Sequence, residues 1–385
     1  MLRSTLELLC CPHVRKGTPC RGSVECVEGD GSVEVEYGTL QCRKCRETFP
    51  VVAGVAILVR RVEDYFLQHV KGISKSVPDD RIPVSFRNEF REHRDDLLKH
   101  MDIEHIEEDL ESDRVNALYL MTHYLTVGAT HASSGGPLIE KWWKASDESD
   151  VESESPVITE WVEKYWDHGP LSKVSAWIPK GSSLVELGCG VGGLLHRISG
   201  KASEYLGVDS SFQSIRIARE LNLCPNPSIE SEFRIPGDLF HGNLSRPLGV
   251  PSRNIPKEAG LRADFVVGEL ESLPVPDGRF DGSVCLNAID MLDEPKILPE
   301  SQARITRPDG FAIQCAPYIW HERVARGLRG RTPKGIQNSL RAVEWLYQKS
   351  GFEIMQSEAH IPWLFFKHLR QIELYSVHGF LAKKA

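Results

Sequence analysis

Residues Ser183 to Asp209 read SLVELGCGVGGLLHRISGKASEYLGVD. A short apolar run (Leu184, Val185, Leu187) ends in a cluster of glycines. A helical pattern follows, and a second apolar run, Tyr205 to Val208, stops on an acid. Strand, tight turn, helix, strand is half of a nucleotide-binding α/β sheet. The glycines have separate tasks, and each excludes a side chain. Gly188 lets the strand turn sharply, Gly190 lets the backbone come close to a ligand, and Gly192 or Gly193 lets the next helix pack tightly on the strand. Asp209 stands at the tip of the second strand, where a carboxylate can accept hydrogen bonds from the vicinal hydroxyls of a ribose. An adenosine-type ligand is expected.

Gly188, Gly190 and Gly193 also satisfy the dinucleotide fingerprint G-x-G-x-x-G, so the glycines alone do not choose the ligand. Two further features do. Glu186 sits two residues before the first glycine, inside the strand, and a third strand pattern, ADFVVGELESLP (Ala263 to Pro274), is followed by FDGSVCLNAIDMLDEP (Phe280 to Pro295). An acid before G-x-G-x-G, an acid after strand two, an acid after strand three ahead of L-P, and then F-D occur in that order. With these motifs the stretch from Trp161 to Ala385 resembles the class I S-adenosylmethionine-dependent methyltransferases. The resemblance implies a Rossmann-like α/β sheet with helices on both faces, and S-adenosylmethionine as cofactor. It assigns the methionine part to Glu186, Gly188, Cys189, Gly190 and Gly192, the ribose to Asp209 with Ser210 beside it, and the adenine edge to Glu269 and Leu270. Asn287, at the end of strand four, falls beside the methyl group. The family more often has Asp where Glu269 stands.

A chain of 385 residues exceeds what one ordinary core organises. The formal charge of -8 disfavours a broad phosphate-binding surface, which argues against a nucleic-acid partner. No apolar run approaches the ~20 residues of a membrane span, and Met1 to Cys11 lacks a signal-peptide pattern. No membrane association and a cytoplasmic setting are expected. Ten cysteines in a chain of this size do not make a disulfide scaffold, and a spaced cluster of them suits a metal.

Such a cluster opens the chain. LELLCCPHVRKGTPC supplies Cys10, Cys11, His13 and Cys20, and TLQCRKCRETFPVVAGVAILV supplies Cys42 and Cys45. Two thiolates in C-x-x-C can face one ion, and a tetrahedral zinc site needs a second pair from a facing turn. VEVEY, between the two halves, alternates as a half-buried strand does. The stretch resembles the Trm112-like zinc ribbons, most clearly in its closing half, through Leu40, Cys42, Cys45, Phe49, Pro50 and Gly54. In the opening half Val14 occupies the place of that family's second cysteine. Structural zinc on Cys11, Cys42, Cys45 and Cys20 is the first choice, with His13 and Cys10 as alternatives for the fourth ligand.

The domains expected are therefore a ribbon at 1–60, a helical insert or lid at 61–143, an acidic, serine-rich flexible linker at 144–156 and the methyltransferase fold at 157–385. Within the insert, Ser85 to Met101 and Ile103 to Val127 carry apolar residues at helical spacing, and Tyr119, His123, Tyr124 and His131 form an aromatic and histidine group able to line a pocket. Trp161, Tyr165 and Trp166 could cover the cofactor, and the proline- and glycine-rich insert Leu221 to Arg262 could gate it. Arg323 to Lys334 is locally basic. Asp290 and His321, from the ends of strands four and five, are the candidates for taking a proton from an acceptor, ahead of His360 and His368. Three readings are open. The first is methyl transfer to an O or N of a small-molecule or peptide acceptor; the second is an RNA methyltransferase with the ribbon as reader; the third is a non-catalytic binding scaffold.

Overall fold

The computed structural model describes residues 1–100, 115–116, 118–119, 122, 168–223, 230–235, 248–251, 260–368 and 371–385. His123, Tyr124, His131, the acidic segment 144–156, Trp161, Tyr165 and Trp166 lie outside them.

A 3₁₀ turn at Arg3–Leu8 and the short pair β1 (Val14–Arg15) and β2 (Thr18–Pro19) lead into four strands. These are β3 (Val24–Gly29), β4 (Gly38–Cys42), β5 (Thr48–Val52) and β6 (Val55–Leu58), paired antiparallel in sequence order. Helices α1 (Val62–Ser76) and α2 (Val84–His100) come next. After α3 (Pro170–Trp177) the chain alternates through β7 (Ser182–Leu187), α4 (Leu194–Ile198), β8 (Ala202–Asp209) and α5 (Phe212–Leu223). A small pair, β9 (Glu230–Ile235) and β10 (Leu248–Pro251), precedes β11 (Arg262–Gly268) and β12 (Phe280–Leu286). The chain ends through α6 (Ile297–Ile305), β13 (Thr306–Ala316), α7 (Glu322–Arg331), α8 (Ser339–Lys349) and the hairpin β14 (Phe352–His368) with β15 (Gln371–Lys384).

Among the described residues one sheet has eleven strands in the order β14-β15-β13-β12-β7-β8-β11-β6-β5-β4-β3. Strands β7, β8, β11, β12 and β13 are parallel, and β15 enters antiparallel. The central strands read as near-continuous apolar runs because parallel strands are covered on both faces. Leu184, Val185, Leu187, Phe265, Val266 and Val267 are all fully buried. Helices lie on both faces, α5 against β8 and β11, α6 against β12 and β13, and α8 against β14. No helix among the described residues is long and apolar enough to cross a membrane.

One difference from the sequence reading has a local cause. Val33 to Tyr37 is not a strand; the pairing strand is β3, and Val33 to Tyr37 connects it to β4. The Asp30 carboxylate accepts the N–H groups of Glu36 and Tyr37, at 2.9 and 3.1 Å, and bends this stretch despite its alternating pattern. The ribbon strands join the main sheet, since β6 pairs parallel with β11 at Ile57 with Val267 and Leu58 with Gly268.

Beneath that junction the buried Arg219 of α5 forms ion pairs with Asp264 of β11 and, at 2.5 Å, with Glu34 of the ribbon. Burial brings the Arg219 guanidinium down to about 10, against the opposing pull of Glu34. Asp264 also accepts the Leu2 N–H at 2.8 Å and the Thr5 hydroxyl at 2.6 Å. Removing one partner of a buried pair strands the other charge. Arg219→Ala is expected to cost about 3–5 kcal/mol in urea denaturation. The double change Arg219→Met, Asp264→Leu should recover most of that loss.

Candidate active site

In the sheet β7 lies between β8 and β12, so the chain leaves β7 to one side and returns to its other side, leaving a crevice at the strand C-termini. A cavity of about 600 Å³ fills it. Nine of the ten residues that the motifs assign to the cofactor line this cavity: Glu186, Gly188, Cys189, Gly190, Asp209, Ser210, Glu269, Leu270 and Asn287. Gly192 does not. A Cβ there would stand 2.8 Å from the Phe265 ring and 3.0 Å from the Ala218 Cβ, so its task is packing against β11 and α5.

The turn after β7 has its glycines in the left-handed region, φ 71° at Gly188, 50° at Gly190 and 80° at Gly192. A Cβ on Gly190 would meet nothing within 4 Å, which leaves the backbone open toward the cavity. The turn is tied to β8 through its own donors. Gly188 N–H bonds the Val208 carbonyl at 2.8 Å, and Gly190 N–H donates to Asp209 Oδ2 at 2.9 Å. Asp209 Oδ1 accepts the Ser211 N–H at 2.9 Å. Burial raises Asp209 above the usual carboxylate range although backbone donors at Ser211, Gly190 and Ser210 oppose the shift. Glu186 is pushed up to about 8 by burial, against the stabilising hydrogen bond from the Tyr205 hydroxyl.

Two contacts from the segment after the ribbon hold the same walls. Arg60 N–H donates to Glu269 Oε2 at 3.1 Å, and the Tyr65 hydroxyl of α1 donates to the Ser210 carbonyl at 2.8 Å. Neither is legible in the motifs.

The cavity lining also includes residues that the cofactor motifs do not name. Tyr119, a pocket candidate from its aromatic neighbourhood, lines it together with Asn116, whose Oδ1 accepts the Ser214 hydroxyl at 2.8 Å. Trp363 reaches it from β14. That strand has register shifts around His360, which stands at φ 64°, and a bulge of this kind bends a strand and re-aims the side chains beyond it. The one signal for Trp363 is its place in IPWLFF; no local pattern marks the bend.

Asp290 and His321 stand apart from the lining. Asp290, on a 3₁₀ turn after β12, accepts the Ile319 N–H on Oδ2 at 2.7 Å and thereby ties the ends of β12 and β13. Its Oδ1 has no partner among the described residues, and burial raises its carboxyl above the usual range. His321 is the exposed N-cap of α7. His360 is exposed and bonds the Ser376 hydroxyl at 2.9 Å, while the side chain of His368 lies outside the described residues.

In the ribbon, the Sγ atoms of Cys11, Cys20, Cys42 and Cys45 lie within 4.8 Å of one another, with Cys11 to Cys45 at 3.6 Å and Cys20 to Cys42 at 3.7 Å. A tetrahedron with metal–sulfur bonds of about 2.3 Å has edges of roughly 3.8 Å. Burial favours the Cys42 thiol, yet the N–H groups of Cys45 and Lys44, both 3.4 Å from its sulfur, win and bring it down to about 7. Gly22 gives the group room, since a Cβ there would stand 2.8 Å from Cys42 Sγ. His13 is instead 3.6 Å from the Glu47 carboxylate, and Cys10 is not part of the group.

A family model described as a methyltransferase domain matches residues 158–357. The chain belongs to this methyltransferase family. A second model, of Trm112p-like proteins, matches residues 3–54 of the methyltransferase. No curated relative matches it. Among solved structures it is similar to a complex of the Haloferax volcanii Trm112 methyltransferase activator with a putative methyltransferase, at 14% identity and a TM-score of 0.36, over 60% of this chain and 94% of that one. YcgJ from Bacillus subtilis is similar at 15% identity and a TM-score of 0.36, over 56% and 97%. Magnesium protoporphyrin IX methyltransferase from Synechocystis PCC 6803 is similar at 16% and 0.34, over 64% and 93%. Likenesses this distant carry nothing about the substrate of this methyltransferase.

Proposed function

We propose that this methyltransferase takes S-adenosylmethionine into the crevice at the ends of β7, β8, β11 and β12, and methylates an O or N of a small-molecule or peptide acceptor. The observation that carries the reading is the convergence of nine motif residues, from four separate strand ends, on one cavity. The donor set also suits the ligand. Glu186, Asp209, Glu269 and Glu271 line the cavity, and no lysine, arginine or histidine does among the described residues, which favours a ligand carrying positive charge. Asp209 and Glu269 are the residues to hold the adenosine, and Glu186 with the glycine turn the methionine part. Bound there, the cofactor supplies an electrophilic sulfonium methyl. The work of the protein is to hold an acceptor lone pair at near-attack distance, an effect of order 7–11 kcal/mol in well-oriented reactions. The same acidic lining supports a small-molecule or peptide acceptor over an RNA, whose phosphates call for basic contacts.

Asp209→Ala should abolish S-adenosylmethionine binding in calorimetry, and unchanged affinity would refute the assignment. The pH dependence has a definite sign. In the ligand-free protein Glu186 keeps its proton up to about pH 8. A cationic ligand favours its ionised form, so binding releases that proton. Affinity should improve by up to about tenfold per pH unit from pH 6 toward 8 and then level off, and Glu186→Gln should flatten the profile. Without ligand the raised value acts on folding in the opposite sense. The contribution of Glu186 to stability is present below the unfolded carboxylate range and is lost as pH rises through about 8.

For proton removal we retain Asp290, which precedes the cavity-lining Met291 in the chain and whose buried Oδ1 has no partner among the described residues. Asp290→Asn keeps an acceptor for the Ile319 N–H. A loss of about 10²-fold or more in kcat with folding intact is expected, and a near-normal kcat would reduce Asp290 to a structural tie.

For the ribbon, we propose structural zinc on Cys11, Cys20, Cys42 and Cys45. Elemental analysis of the purified protein should find about one zinc per chain, and Cys42→Ser should lose it and lower the melting temperature. A folded, metal-free protein indifferent to that change would remove the claim.

A further inference from the structure

The lining of the cavity has an acidic part and an apolar part. All four of its carboxylates come from the ends of β7, β8 and β11 and the turn after β11. The apolar part draws on the helical insert, the end of β12 with the turn after it, and β14, through Tyr119, Leu286, Met291, Leu292 and Trp363. Trp363 is only 5% exposed, and Tyr119 is fixed against Phe365 edge-to-face, with ring centroids 5.6 Å apart. These are held rings, not loose surface side chains. Met291, by contrast, lines the cavity while 82% exposed, so the apolar part runs out to solvent at that point. A flexible thioether at such an entrance adapts to apolar ligands of varied outline.

We infer that the acceptor is an apolar, ring-bearing small molecule that enters past Met291 and packs its ring against Trp363 and Tyr119, with its nucleophilic O or N directed at the acidic part. The inference rests on the methyl-transfer reading and narrows its acceptor. Burying an apolar body is favourable against the apolar part and needs no counter-charge. A ring gains in addition from edge-to-face or offset contact with fixed aromatic side chains. An acceptor bearing phosphate or several carboxylates would bring negative charge beside Glu186, Asp209, Glu269 and Glu271 with no described basic residue in the lining to balance it. The transfer balances without a further reagent. The acceptor lone pair forms the new bond to the methyl carbon as the carbon–sulfur bond breaks, the sulfonium becomes a neutral thioether, and the proton of the acceptor leaves to a base.

The test uses 2-naphthol as a planar apolar probe, titrated by saturation-transfer NMR into the full-length protein saturated with S-adenosylhomocysteine. Wild type should bind the probe, Trp363→Ala should weaken it at least about tenfold, and Trp363→Phe should stay within about threefold of wild type. S-adenosylhomocysteine affinity, measured separately by calorimetry, should be the same in all three. If that ligand does not bind the wild-type protein, the methyl-transfer reading itself fails. If it binds and 2-naphthol does not, or if Trp363→Ala leaves the probe affinity unchanged, only the acceptor class is overturned. In a second arm, protein incubated with methyl-labelled S-adenosylmethionine and a host extract should deliver label to the solvent-extractable fraction. Label confined to RNA, protein or water-soluble anions would overturn the inference.

Discussion

A guanidinium out of reach of water is the constraint on which this arrangement depends. Arg219 can stay charged in the interior only while Asp264 and Glu34 face it, and those two carboxylates belong to different parts of the chain. Asp264 is the third residue of β11, and Glu34 lies within the connection between the first two long ribbon strands. Satisfying one cation therefore fixes the ribbon against the sheet, and the β6–β11 pairing falls into register. The strand that pairs with β6 ends where Glu269 begins, so the edge of the cavity inherits its position from this junction. Arg60 and Tyr65, just past the ribbon, then reach Glu269 and Ser210 directly.

The cavity is built on an opposite principle. Glu186 and Asp209 are buried with hydrogen bonds but face no cation among the residues lining the cavity, and both are shifted toward the neutral form by desolvation. Such carboxylates are poised to respond to a positive ligand, and the cost of burying them is recovered only when one arrives. The contrast between a compensated ion pair at the junction and uncompensated acids in the crevice separates framework from site in physical terms.

Much of this is legible in the sequence because the deciding signals are local. The glycine turn, the acids at 186, 209 and 269 and the C-x-x-C knuckle each depend on residues a few positions apart, and the structure brings them where strand-end geometry requires. Cys20 is reached by counting a loop, and it joins the other three thiols. The features that escape are non-local. Nothing near Ile57 announces Val267 as its partner, and nothing near Trp363 announces the bulge at His360. Asp290 and His321 are candidates because strand ends carry chemistry, but the turn after β12 directs one to the Ile319 N–H and the start of α7 leaves the other in solvent. Val33 to Tyr37 misleads for a different reason. Its alternation is real, but Asp30 captures the backbone donors that a strand would have used.

The parallel pairing of β6 with β11 also has a history in time. During translation the segment VAIL of β6 leaves the ribosome about 210 residues ahead of its partner, Val267. At ordinary elongation rates that interval is roughly 10 to 40 s. Throughout it the nascent chain carries a short, wholly apolar strand whose outer backbone groups have no mate, a template on which other chains can pair. Final closure of the ribbon is thus postponed until the second half of the polypeptide has been made.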